Sequence, residues 1–194
     1  MLIEILYERK VLMFTQIASK RFVVTAFICG LLSFGGAGAA PIDDANAARE
    51  RGDSAQAIKL YSDLAAYGDV EAQYSLGRMY YEGLGDYQEA LHWFRRSAFK
   101  GDARAQNYLG MMSYLGEGVN KDYREALKWF LLSAGQGNAD AQNWLGVMYS
   151  EGKGVTKNHK EALKWYRLAA AQGHVRSQNA LQTPEMIESA NLKK

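Results

Sequence analysis

The sequence predicts an all-α fold, a solenoid of about three and a half helix-turn-helix repeats. Glycines recur with spacings of 33, 36 and 36 residues, at Gly68, Gly101, Gly137 and Gly173. Alanine-glutamine and leucine-glycine pairs follow these glycines in one register, and the apolar residues before them recur at helical spacing. A single helix pair of this length cannot cover its own apolar stripe, so neighbouring pairs must stack to bury a core.

Each repeat contains two helices. A capping box, in which a side-chain acceptor is followed three residues later by Glu or Gln, predicts the start of the second helix at Asp53, Asp86, Asp122 and Asn158. The first helix is expected to be capped by the residue after the glycine and to end at Gly83, Gly116 or Gly152. The loop "GLGD" is three residues shorter than "GEGVNKD" and "GKGVTKN", which explains the spacing of 33.

Alanines and tryptophans at fixed repeat positions predict how the helices pack. The alanine three residues before each glycine, such as Ala134, is expected to let helices approach closely. Trp93, Trp129 and Trp165 are interpreted as packing residues that fill the space between repeats rather than as a cofactor site.

The segment "AQNYLGMMSYLGEGVNKDYREALKWFLLSAGQG" at 105–137 resembles the Sel-one-like repeat family, a branch of the tetratricopeptide-like helical repeats. The next repeat departs from the family pattern at Asn158 and His159, and the segment "ARERGDSAQAIKLYSDLAAYG" resembles an incomplete leading repeat. The resemblance implies a right-handed α-solenoid that acts as a non-catalytic adaptor between proteins, without a cofactor.

Residues 1–39 resemble a secretory signal peptide. Lys20 and Arg21 precede an apolar run that ends in small residues, and Ala37 and Ala39 predict cleavage before Ala40. An uncleaved membrane anchor stays open as an alternative, because 19 mostly apolar residues can span a bilayer, and Met13 is an alternative start. We expect a linker at 40–48, repeats at 49–182 and a C-terminal tail or capping segment at 183–194.

Composition argues against disulfides, nucleic-acid binding and metal sites. Cys29, the only cysteine, lies in the signal-like segment, so no disulfide is expected in an exported, periplasmic or secreted chain. Beyond residue 39 the chain has 19 basic and 19 acidic residues, and no basic cluster predicts nucleic-acid binding. The three histidines lie in different repeats without a second ligand at metal spacing, so no metal is expected. Membrane contact is expected only through an uncleaved N-terminal segment.

One short motif has a catalytic parallel. The segment "SAFK", from Ser97 to Lys100, matches the Ser-x-x-Lys spacing of penicillin-recognising enzymes. The repeat register places "SAGQ" and "AAAQ" at the same positions of the next repeats, which favours an ordinary repeat position over a nucleophile. A β-lactam hydrolase is therefore a distant alternative.

The candidate binding residues follow from the resemblance, since first helices line a concave groove in tetratricopeptide-like solenoids. By register they are Tyr74, Arg78, Tyr81, Asn107, Met111, Tyr114, Asn143, Val147, Ser150 and Asn179. The repeated asparagine amide could hold the backbone of an extended peptide while aromatic residues bind its side chains. The alternative is that repeat duplication copied a polar residue without a role.

These observations predict an exported adaptor that binds a protein or an extended peptide through its concave face. A second hypothesis uses the same groove in an exported regulator or secreted effector that acts on a signalling or host protein.

Overall fold

The computed structural model describes residues 41–191, which form ten α-helices, one π-helical turn and no strand. The helices are α1 Pro41–Glu50, α2 Ser54–Ala66, α3 Val70–Arg78, α4 Tyr87–Phe99, α5 Ala103–Leu115, α6 Tyr123–Gly135, α7 Ala139–Glu151, α8 His159–Ala171, α9 Val175–Ala180 and α10 Pro184–Asn191. Consecutive helices pack together from α1 to α9, and α10 packs on α8. The first helices of neighbouring repeats also touch, α3 with α5, α5 with α7 and α7 with α9. The predicted all-α repeat solenoid is confirmed.

The second helices begin and are capped as the sequence predicts, and the backbone of each cap residue makes a further hydrogen bond. The side chains of Asp53, Asp86, Asp122 and Asn158 each accept a hydrogen bond from a backbone N–H of the first turn. Their own backbone N–H groups donate to a carbonyl of the preceding helix, at 2.8–3.0 Å, instead of to the Glu or Gln side chain. Each cap therefore also fastens the second helix to the first.

Glycines inside the first helices allow the second helices to approach closely. Gly110 lies against the ring of Phe130, and a Cβ built on this glycine would lie 2.6 Å from the ring. The same relation joins Gly77 to Phe94 and Gly146 to Tyr166. Because real Cβ atoms do not come so near a ring, the repeated leucine-glycine pair is a packing requirement.

The tryptophans lie between repeats, in agreement with their interpretation as packing residues. Trp93, Trp129 and Trp165 are half-buried, and each packs against the hydrophobic cluster of the preceding repeat. Ala134 is 4% exposed and belongs to the cluster around Phe130, as the expectation of close helix contact requires.

The shortened repeat is accommodated by a change of helix type. Helix α3 continues into a π-helical turn, Met79–Leu84, which ends at Gly85 in the left-handed region with φ 67°. The prediction that this helix ends at Gly83 is wrong, whereas Gly116 and Gly152 end α5 and α7 with φ 83° and 75°. Glycine is needed at these ends because other residues rarely adopt positive φ.

Both ends of the described range add helices to the stack. The predicted linker at 40–48 is wrong over residues 41–48, which belong to α1, and α1 completes the leading repeat. Ala45 and Ala48 of α1 are fully buried, and Asn46 accepts a 2.6 Å hydrogen bond from Tyr61. At the other end, Met186 of α10 is buried against the last cluster. The signal peptide predicted at 1–39 lies outside the described residues.

Candidate functional site on the concave face

The contacts between first helices define an inner, concave face, and one cavity opens on it. The cavity has a volume of about 260 Å³ and lies among the helices α3, α5, α7 and α9. We call it the concave groove, and its lining is Tyr74, Arg104, Asn107, Tyr108, Met111, Asn138, Asp140, Trp144 and Arg176. It brings together three of the predicted residues, Tyr74, Asn107 and Met111.

One wall of the concave groove is a fixed pair of an aromatic ring and a cation. The guanidinium carbon of Arg104 lies 4.1 Å from the ring centroid of Tyr74. Asp102 and Glu71 accept hydrogen bonds from Arg104 at 2.6 and 2.5 Å and raise its pKa. Burial raises the pKa of the Tyr74 hydroxyl. Arg104 is thus held in place before any ligand arrives.

The asparagines at the predicted register position differ in their surroundings. The Asn143 side-chain oxygen accepts a hydrogen bond of 2.9 Å from the Ser177 hydroxyl in the next first helix. The equivalent oxygen of Asn107 is buried without a hydrogen-bond partner, and its amide nitrogen makes only a 3.6 Å contact with the sulfur of Met111. Asn179 is exposed on α9. The repeated asparagine therefore has a packing role in at least one repeat.

Tyr81 and Tyr114 are placed between repeats. The Tyr81 hydroxyl donates to Glu117, and its ring packs edge-on against Tyr87 and Tyr108. Tyr114 is 8% exposed, and the centroid of its ring lies 4.9 Å from that of Trp144. Tyr114 is therefore part of the buried core, and Tyr81 packs against it.

The other predicted residues line separate cavities or the core. Arg78 forms a 2.7 Å ion pair with Glu82 and lines a cavity of about 240 Å³ beside α1 and α2. Ser150 donates to the backbone carbonyl of Val147 and lines a cavity of about 270 Å³ next to α10. Val147 packs against the last hydrophobic cluster. The ten predicted residues do not form one continuous strip.

Sequence reasoning missed the charged residues that line the concave groove or pair with its lining. Glu71, Arg104, Asp140 and Arg176 each follow a repeat glycine by three residues, so charge alternates along one register position. Glu71 pairs with Arg104, and Asp140 pairs with His174 at 3.2 Å. Arg176 forms no ion pair within residues 41–191. This alternation is visible in the sequence and could have identified the groove.

The residues of "SAFK" bond to backbone atoms. The Ser97 hydroxyl donates to the Val70 carbonyl at 3.2 Å, and the Lys100 ammonium donates to the Gly68 carbonyl. Ser133, at the same register, donates to the Ala103 carbonyl at 2.6 Å. The Ser97 hydroxyl and the Lys100 ammonium therefore tie the second helix α4 to the start of the preceding first helix, α3.

Within 41–191, no group of three His, Cys, Asp or Glu side chains is placed to hold a metal ion. No helix in this part of the chain has the length and apolar character needed to cross a bilayer.

Comparison with known proteins identifies the family. The Sel1 repeat model matches residues 103–138 and 139–174, and a tetratricopeptide repeat model matches 42–108. The chain is 41% identical to a Sel1 repeat protein from Oxalobacter formigenes over 63% of this chain and 94% of that one, with a TM-score of 0.57. The protein belongs to the Sel1 repeat family.

Two further solved structures are similar. A protective antigen of uropathogenic Escherichia coli strains, which displays an SLR fold, is 42% identical over 65% of this chain, with a TM-score of 0.63. The alignment covers only 28% of that longer protein. Helicobacter pylori cysteine rich protein B shares the fold, at 24% identity over 66% of this chain and 95% of that one, with a TM-score of 0.54. Curated protein sequences give no significant match.

Proposed function

We propose that this protein is an exported, non-catalytic adaptor that binds an extended segment of a protein partner in the concave groove. Sel1 and tetratricopeptide repeats generally bind proteins. The observation that carries the proposal is the groove of about 260 Å³ behind the fixed Tyr74–Arg104 wall. A preformed wall lowers the conformational cost of binding.

The chemistry of the groove suits a peptide. Met111 and the half-buried ring of Trp144 offer apolar surface to peptide side chains. The amide nitrogen of Asn107, which has only its long contact with sulfur, can donate to a backbone carbonyl. Arg176 can pair with a carboxylate. An extended chain presents carbonyls and side chains at regular intervals, so it can use all four groups.

Export is the second part of the proposal. It rests on the signal-like sequence of residues 1–39, with the small side chains of Ala37 and Ala39 before the expected cleavage site. A protective antigen among the similar proteins is consistent with this placement.

Capture of a partner by the soluble exported chain tests the proposal. We would immobilise the protein, apply detergent-solubilised envelope extract, identify the captured protein by mass spectrometry and measure the affinity of its bound segment. Met111→Ala and Arg176→Glu should each weaken binding about tenfold or more, since contacts near the centre of an interface dominate affinity.

Matched controls lie outside the groove. Leu115→Ala removes an exposed apolar side chain at the end of the same helix as Met111, and Lys59→Glu reverses an exposed charge on α2. Both should leave the affinity unchanged. Equal affinity in the wild type and both groove variants would exclude the groove as the binding site.

A further inference from the structure

The outer face of the solenoid is basic. Helices α4, α6 and α8 are the second helices of three successive repeats, and their exposed side chains point away from the first helices on which they pack. Seven basic residues on these helices are exposed: Arg95, Arg96, Arg124, Lys128, Lys160, Lys164 and Arg167. The same helices carry three acidic residues, and two of these pair with Lys128 and Lys164. A net positive charge therefore remains on this face.

Large apolar side chains are exposed in the middle of this basic face. Leu131 and Leu132 of α6 are 40% and 54% exposed, and Leu168 of α8 is 50% exposed. Leu132 and Leu168 occupy the same register position in neighbouring repeats, so they lie on the same outward face of two successive second helices. Phe99, at the end of α4, is 81% exposed. Grouped exposed apolar side chains mark an interaction surface.

The repeat register shows how charge and apolar surface alternate. The two positions that hold Leu131 and Leu132 in α6 hold Arg95 and Arg96 in α4, and Arg167 and Leu168 in α8. Leu131 thus has an arginine at its register position in both neighbouring repeats, and Leu132 has one in the preceding repeat. Arg96 lies over the ring of Trp93, with 5.3 Å between the guanidinium carbon and the ring centroid.

We propose that this outer face, on α4, α6 and α8, binds the surface of a lipid bilayer that contains anionic phospholipids. The leucines enter the boundary between headgroups and acyl chains, and the surrounding arginines and lysines pair with lipid phosphates. The exposed leucines favour a bilayer over a nucleic acid, which offers the phosphates without an apolar layer. The concave groove lies on the opposite face and stays open to a partner.

Vesicle co-sedimentation of the soluble exported chain, with its N-terminus checked by intact mass, tests the proposal. We expect the protein to bind vesicles of phosphatidylcholine and phosphatidylglycerol about tenfold more tightly than vesicles of phosphatidylcholine alone, with binding that weakens as salt increases. Leu132→Ser combined with Leu168→Ser, and Arg96→Glu combined with Arg167→Glu, should each reduce binding about fivefold or more.

The controls change the same residue types elsewhere. Leu84→Ser removes an apolar side chain that is 59% exposed in the π-helical turn, and Lys59→Glu reverses a charge on α2; both should bind like the wild type. Thermal melts of all variants establish that these surface changes leave the fold intact. Equal binding to both vesicle types, full binding by both double variants, or binding to nucleic acid but not to vesicles would each overturn the proposal.

Discussion

The Asn143 side-chain oxygen accepts a 2.9 Å hydrogen bond from the Ser177 hydroxyl, which joins α7 to α9 across the repeat boundary. One repeat earlier, Asn107 occupies the same position, but Ala141 stands where the serine would be. The Asn107 oxygen is buried without a hydrogen-bond partner. The asparagine side-chain oxygen at this repeat position therefore has a hydrogen-bond donor in one repeat and lacks one in the preceding repeat.

Ala141→Ser should supply the missing donor. The serine fits at the equivalent fully buried position of the next repeat, so we expect the free energy of unfolding to rise by about 0.5–1.5 kcal/mol in urea melts. Ser177→Ala is the matched control, and it should lower this free energy by about 1–3 kcal/mol because it leaves the Asn143 oxygen buried and unpaired. Loss of stability in Ala141→Ser would show that the asparagine oxygens are not equivalent.

Lys100→Gln should complete a second hydrogen-bond series. The side chain of Gln136 donates to that of Gln106, and Gln172 donates to Gln142, both at 2.8 Å. At the preceding repeat boundary, Lys100 occupies the position of Gln136 and Gln172. The side-chain oxygen of Gln73, which corresponds to the acceptors, is buried there without a partner. We expect a gain of about 0.5–1.5 kcal/mol in denaturant melts. A less stable variant would mean that the Lys100 bond to the Gly68 carbonyl contributes more than the glutamine series.

Gly110→Ala should destabilise the protein. Its new Cβ would meet the Phe130 ring at 2.6 Å, and overpacking of this kind costs about 1–3 kcal/mol. Gly135→Ala is the control, because no atom lies within 4 Å of its added Cβ, and in helix α6 it should be neutral or stabilising by about 0.5–1 kcal/mol. Thermal or urea melts that ranked the two variants in the opposite order would refute the close approach.

Signal cleavage should leave Ala40 as the first residue of the exported protein, because Ala37 and Ala39 provide the small side chains that a signal peptidase requires. Intact mass of protein recovered from the exported fraction measures this directly. Recovery of chains that retain residues 22–39 in the membrane fraction would support the uncleaved anchor instead.

The repeat framework could be predicted because it depends on local signals. The side chain of each capping residue, such as Asp122, bonds within its own helix, and the glycine spacing fixes where the helices turn. The contact of Gly110 with Phe130 could not be predicted, because nothing local indicates which ring faces the glycine. Helix α1 has few strongly apolar residues and is fixed by the burial of small alanines, so it was predicted as a linker.

The candidate site was predicted only in part, for a geometrical reason. Register identifies the helix face on which a residue lies, but neighbouring helices decide whether its side chain reaches the groove. Tyr114 is directed into the contact with Trp144 and Tyr123, whereas Met111, three residues earlier, lines the groove. Arg176 carries a charge that the register alternation shows, but the packing of α9 decides that this side chain lines the groove.

Site-specific photo-crosslinking tests the central claim most directly. A photoreactive residue replaces Met111 in the concave groove or, as control, Lys59 on α2, and irradiated cells that produce the protein are analysed by mass spectrometry. The adaptor account predicts a defined adduct between position 111 and one segment of a partner protein, with no such adduct from position 59. Adducts from position 59 together with none from position 111 would contradict binding in the groove.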